Sequence, residues 1–370
     1  MSLRIRVFSY FSMLLVLCMT TACVKKQNLP EPSPTPVAVT MTEGKVIAPT
    51  NTLPPVSTPA PTPTTPAPNE PQTVLLHDQE SGAALFLASD GAGNLSMFKE
   101  YLDWRTTWDI ILPGEFGNGL YSDILFYDRE NGDAAFYTTD GTGELSLLNE
   151  LSSSWDTAWD MIIPGQFGGD SFTDLLFYDK ETQRGIFYTT DGTGQITRLK
   201  EYTDWSATWD MIIPGQFGGD AFTDLLFYDR NAGLGIFYTS DGSGNLVRLM
   251  EHNDWQSFWS MIIPGQFGGD SHTDLLFYAR STGQGVFYTS GGTGDLVNLR
   301  EYPEWQTGWT QIVPGEFGGD ATTDLLFYSK SAGNGVFYTT DSSGNLTLLN
   351  EESDWSNTWD IIFSANFAAP

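Results

Sequence analysis

Every tryptophan in this 370-residue chain belongs to a pair spaced four residues apart, and the pairs recur about every fifty residues. They are Trp104/Trp108, Trp155/Trp159, Trp205/Trp209, Trp255/Trp259, Trp305/Trp309 and Trp355/Trp359. The text around them repeats too: an Ile-Ile-Pro-Gly-Gln-Phe-Gly-Gly-Asp run, then Thr-Asp-Leu-Leu-Phe-Tyr, then Phe-Tyr-Thr-Ser-Asp-Gly-Ser-Gly in the copy beginning at Trp205. A period of this length holding several short strands is the mark of a propeller or solenoid, not of an ordinary globular domain.

Each copy reads as four strands separated by turn chemistry. In residues 205–251 the first run is Trp209 to Gln216, the second Asp224 to Asp229, the third Gly235 to Ser240 and the fourth Asn245 to Glu251. Glycines between the second and third runs, and in Asp241-Gly242-Ser243-Gly244, supply the positive φ of tight hairpins. The first three runs are apolar on both faces, whereas Leu246-Val247-Arg248-Leu249-Met250-Glu251 interleaves charge. The fourth run is therefore expected on the outside of a blade whose faces pack on neighbouring blades. Trp209 and its equivalents alternate with Met211 and Ile213, which predicts packing between blades.

Counting predicts an all-β, six-bladed β-propeller of four-stranded antiparallel blades. The repeats open mid-copy at Val74-Leu75-Leu76-His77 and end on a first run, Trp359-Asp-Ile-Ile-Phe. Pairing that C-terminal first strand with the N-terminal strands two to four completes the sixth blade and removes free sheet edges.

Ahead of the repeats the chain changes character. Residues 1–23 read as an export signal, with Arg4 and Arg6 before a short apolar stretch, and Ala22-Cys23 resembles a bacterial lipoprotein processing site. Cys23 is the expected lipidation point. Residues 24–72 hold 13 of the 20 prolines and read as an extended tether. Residues 73–370 form the propeller. The expected location is the cell surface, with membrane attachment only through the lipid. Both cysteines, Cys18 and Cys23, lie in the signal, so the propeller has no thiol chemistry. From Thr73 on, 12 Lys/Arg face 43 Asp/Glu, which argues against nucleic acid as a partner.

Pro164-Gly-Gln-Phe-Gly-Gly-Asp-Ser-Phe-Thr-Asp-Leu-Leu-Phe-Tyr resembles the FG-GAP/VCBS repeat of integrin α-subunit propellers. The aromatic-rich copy is also similar to repeats of propeller lectins. The resemblance implies the propeller fold over residues 73–367 and leaves function open. In that family the loop between first and second strands often binds calcium through Asp-x-Asp-x-Asp-Gly-x-x-Asp. Here only the third and last positions survive, at Asp170/Asp174, Asp220/Asp224 and Asp270/Asp274; the fifth loop adds Glu316 to Asp320/Asp324. The 113–123 loop has Glu115 and Asp123 but Gly119 between them. Calcium wants six to eight oxygens, so the favoured expectation is that these aspartates accept backbone N–H bonds, and no cofactor is expected.

Trp104, Trp155, Trp205, Trp255, Trp305 and Trp355 lie in the turns between blades. They can either present a ring to a sugar or staple adjacent blades. His77, His252 and His272 occupy unrelated repeat positions, and no inserted loop interrupts the copies. The expectation is therefore a non-enzymatic, carbohydrate-binding (lectin-like) module recognising glycans. The alternative is an adhesion or scaffold propeller for cell-surface proteins.

Overall fold

The computed structural model describes residues 72–367. The signal segment, Cys23 and nearly all of the predicted tether lie outside the described residues.

Twenty-four strands make six antiparallel sheets of four. The first blade contains β1 (Thr73–His77), β2 (Ala84–Ser89) and β3 (Leu95–Tyr101). The second is β4 (Ile110–Gly114), β5 (Asp123–Asp128), β6 (Asp133–Thr139) and β7 (Leu145–Leu151). The third is β8 (Met161–Gly165), β9 (Asp174–Asp179), β10 (Arg184–Thr190) and β11 (Ile196–Tyr202). The fourth is β12 (Met211–Gly215), β13 (Asp224–Asp229), β14 (Leu234–Ser240) and β15 (Leu246–His252). The fifth is β16 (Met261–Gly265), β17 (Asp274–Ala279), β18 (Gln284–Ser290) and β19 (Leu296–Tyr302). The sixth is β20 (Gln311–Gly315), β21 (Asp324–Ser329), β22 (Asn334–Thr340) and β23 (Leu346–Glu352). The last strand, β24 (Ile361–Ala365), returns to the first blade.

The ring closes as the repeat count requires. β24 pairs antiparallel with β1, Leu75 opposite Phe363 and His77 opposite Ile361. The Phe367 N–H donates to Thr73 Oγ1 at 2.9 Å, pinning the seam just beyond the strand. The inner strands then neighbour one another in the order β24, β4, β8, β12, β16, β20 and back to β24.

Period-two patterning explains the packing. On β13, Leu225 and Phe227 meet the third blade through Tyr178 and Phe187, while Leu226 and Tyr228 meet the fifth through Leu275 and Phe277. Six such interfaces replace a single central core, so each blade is stable only between two neighbours. The second strand is buried at every residue in all six blades, and the fourth strand leaves Val247 and Arg248 exposed in the fourth blade. One detail differs from the sequence pattern. Trp209 shares the third-blade interface with Ile212, while Ile213 faces the fifth blade. The strand begins only at Met211, so its alternation does not extend back to the tryptophan.

Candidate active site

The first tryptophan of each pair is placed between blades. The Trp255 N–H donates to Gly233 O at 3.0 Å, docking the connection on the hairpin of the preceding blade. The Trp205 ring stands edge-on to Phe227 at 5.0 Å and 88°. Its six-membered ring lies 2.4 Å from where a Cβ on Gly185 would be, so only glycine admits it there. Trp155, Trp255, Trp305 and Trp104 make the same edge contact with Phe177, Phe277, Phe327 and Phe126, and Trp355 lies edge-on to Phe337. The six rings are spread around the circle, and none stands free as an open platform. What remains beside them are clefts of about 340 Å³ at Trp205 and about 410 Å³ at Trp155.

The aspartate loops are turns closed by backbone donors. Asp174 Oδ2 accepts the Phe167 N–H at 2.8 Å and the Gly168 N–H, and its Oδ1 accepts Thr190 N–H at 3.1 Å. Asp224, Asp274 and Asp324 repeat the arrangement. Asp170, Asp220, Asp270 and Asp320 each accept an N–H two residues on, at 2.8–2.9 Å. Among the described residues, no three His, Cys, Asp or Glu side chains converge where a metal ion could sit.

The feature that breaks the sixfold pattern is the residue directly after each inner strand. Around the circle these are Glu115, Gln166, Gln216, Gln266, Glu316 and Asn366. Backbone bonds between blades fix five of them, all but Glu316, to one rim. Glu115 O accepts the Thr173 N–H at 2.8 Å while its own N–H donates to Thr173 Oγ1 at 2.8 Å. Gln166 does the same with Thr223, Gln216 with Thr273 and Gln266 with Thr323; Asn366 O accepts the Ser122 N–H at 2.7 Å. Glutamine fills three consecutive places. The other arc, across the sixth, first and second blades, reads Glu316, Asn366, Glu115.

Both glutamates hold their protons unusually tightly. Glu316 is pushed up to about 8, first by burial and then by the charges of Asp324 and Asp320; its Oε2 is buried with no hydrogen-bond partner. Glu115 is pushed up to about 7 by desolvation and by Asp123, opposed by Ser122. It faces one charged neighbour where Glu316 faces two, and Ser122 bonds to it, so its shift is the smaller of the two. Below the rim, the seam between β20 and β24 encloses about 270 Å³ lined by Met261, Gln311, Val313, Pro314, Ile362 and Phe363, among others. Gln311 stands where the three preceding repeats have methionine; its amide donates to Asp360 O at 2.8 Å and accepts the Ile362 N–H at 3.1 Å. A neutral carboxylic acid and a second carboxyl titrating near neutrality, carried on a rigid rim, are the components of acid–base hydrolysis.

Sequence reasoning weighed Glu316, and Glu115 with Asp123, only as carboxylates of degenerate calcium-type loops. The signal was present in the repeat itself: in the Pro-Gly-Gln-Phe column, two copies carry glutamate.

No family model matches the chain, and no curated protein matches it. Solved structures share the ring. A protein of Bacteroides uniformis provisionally named a 6-phosphogluconolactonase is 10% identical, with a TM-score of 0.53 over 80% of this chain and 100% of that one. A Bacteroides fragilis protein of the same provisional name is 11% identical, with a TM-score of 0.50 over 82% of this chain and 99% of that one. At such identity the likeness is one of fold. It runs to lactonase-type propellers and not to FG-GAP/VCBS repeats, so of the sequence resemblance the six-bladed propeller stands. The expectation of a non-enzymatic lectin-like or scaffold module is corrected on the same finding: the structures sharing this ring carry the names of enzymes. The uniformity of the copies, which suggested no enzyme, concealed the two rim glutamates.

Proposed function

We propose that this chain is a hydrolase that opens a cyclic ester, a lactone, at the rim of the propeller channel. The observation that carries the reading is the pair of rim glutamates, Glu115 and Glu316, which replace glutamine on one arc and hold protons near neutral pH. The lactonase names borne by propellers of the same fold support the choice of substrate class.

Environment divides the roles. Glu115, more open and titrating lower, is the general base that takes a proton from the attacking water. Glu316, half-buried with its Oε2 enclosed and neutral at pH 7, is the acid. Water oxygen bonds to the carbonyl carbon, the bond from that carbon to the ring oxygen breaks, and the proton of Glu316 goes to the departing oxygen. Glu115 then returns its proton to Glu316 through solvent.

The test is hydrolysis of δ-gluconolactone above its spontaneous rate. Glu316→Gln is expected to lower kcat about 10²–10⁴-fold, the usual worth of a positioned acid, with the strand content of the protein unchanged. Activity unaltered in both Glu316→Gln and Glu115→Gln sinks the reading. The same reading places the enzyme outside the cell, lipid-anchored at Cys23. Labelling by a fatty-acid probe that survives in Cys23→Ser would refute that anchor.

A further inference from the structure

We infer that the enzyme acts on uncharged lactones and rejects phosphorylated ones, a conclusion that rests on the hydrolase reading and narrows it. The rim glutamates belong to the face formed by loops joining first to second and third to fourth strands. Contacts within each blade show that these loops share one end. A Cβ on Gly192 would lie 2.2 Å from Phe172, on Gly242 2.3 Å from Phe222, and on Gly292 2.3 Å from His272.

Among the described residues, no lysine or arginine stands in any loop of this face. Carboxylates recur in it: besides the rim glutamates, Asp170, Asp220, Asp270 and Asp320 in the inner loops, and others such as Asp191 in the hairpins. The cations are committed elsewhere. Arg230 and Arg280 donate through Nε to Trp259 O and Trp309 O, each at 3.0 Å, and Lys330 pairs with Asp360. These lie in the hairpins between second and third strands, at the opposite end. Arg198 and Arg248 sit on outer strands, paired with Glu201 and Glu251. The cations that reach this face, Lys99, Lys200 and Arg300, do so at its periphery, beside the hairpin glycines Gly143, Gly244 and Gly344; Lys99 pairs there with Glu144, and the charge of Arg300 acts on Asp341. His272 lies 3.5 Å from Asp270.

A phosphate monoester brings about −1.5 to −2 charges and needs arginine, lysine or a set of backbone donors to replace its water. Here the backbone N–H groups of Phe167 and Gly168, and of their equivalents in the other inner loops, are already taken by Asp174 and its equivalents. An anionic substrate would also face Glu115 in the ionised form its role requires. An uncharged ring of hydroxyls and an ester meets none of these penalties.

The experiment compares kcat/KM of the full chain for δ-gluconolactone and for its 6-phosphate, at low and at high salt. The neutral lactone is expected to be favoured by at least about 100-fold at low ionic strength, with the gap narrowing as salt screens the face. Charge reversal at two exposed loop positions, Asp220→Lys with Asp270→Lys, is expected to raise the rate on the phosphorylated lactone about tenfold and leave the neutral one unchanged. Equal or better turnover of the phosphorylated lactone by the native protein overturns this inference and leaves the hydrolase standing. Turnover of neither lactone overturns both.

Discussion

Single residues in this ring do work that repetition makes easy to isolate. The hairpin between second and third strands carries a glycine at positive φ in five copies, such as Gly233 at 63°, and a Cβ there would lie 2.4 Å from Trp255 O. The third blade has Gln183 in this place at φ 58°. A non-glycine residue in that region is strained by roughly 1 kcal/mol. Gln183→Gly should therefore stabilise the protein by up to about 1 kcal/mol, less the entropy glycine adds to the unfolded chain; a lowered denaturant midpoint would contradict this. Trp209 is 8% exposed between the third and fourth blades. Trp209→Ala should cost about 3–5 kcal/mol, the range for deleting a large buried ring, read from chemical unfolding. Tyr228 shows how polar tips are handled: its hydroxyl donates to Gln256 O in the connection to the next blade, at 2.6 Å, and burial pushes it up to about 12. Glu316 shifts in the same direction, but into the range where it titrates near neutral pH. Its carboxyl is raised from 4.5 in the unfolded chain to about 8, so the stability it lends is complete below about 4.5 and is lost as pH rises through about 8. The melting temperature should fall between pH 5 and 9, and fall less in Glu316→Gln; parallel curves would show that Glu316 does not contribute.

At the scale of strands and loops, the inner-strand exits decide what the ring can do. Reciprocal bonds such as Glu115 to Thr173 tie four of the exits to the next blade, so the rim side chains there start from fixed backbone. With a base titrating near 7 and an acid near 8, kcat/KM should rise with pH as Glu115 ionises and fall as Glu316 loses its proton. The profile on a neutral lactone should be a narrow bell centred between those values. A flat profile from pH 6 to 9 would exclude these two groups as the acid and base. Strand order and polarity were legible in the repeat, because a strand buried on both faces must be apolar throughout, as Leu225-Leu226-Phe227-Tyr228 is. The direction of Trp209 was less so, since alternation holds only within the ladder and that tryptophan stands before it. Whether Trp205 lay open or packed could not be read from spacing either. That outcome depends on Gly185 in the preceding blade leaving room for the ring.

For the molecule as a whole, stability is a property of closure. Each blade buries both faces only because two others flank it, and the first blade exists only because β24 supplies its inner strand. Deleting residues 361–370 should expose the edge of β1 and the apolar flank of the sixth blade, giving aggregation or a sharply lower melting temperature. A truncated chain that melts like the intact one would show that closure is dispensable. The polarity of the molecule is also global. Carboxylates line the loops of both ends, but the loop cations, such as Arg129, Arg230 and Arg280, all stand at the end of the blade connections, because alternate loops of an up-and-down sheet emerge at opposite ends. Sequence alone determined the number of blades, the four strands of each and the joining of chain start to chain end, since period, strand polarity and turn glycines are local and repeated six times. Only the tertiary structure decided that Glu316, Asn366 and Glu115 occupy consecutive places on one rim. Residues about 50 and 250 positions apart become neighbours through ring closure, and the desolvation that raises Glu316 comes from the side chains assembled around it.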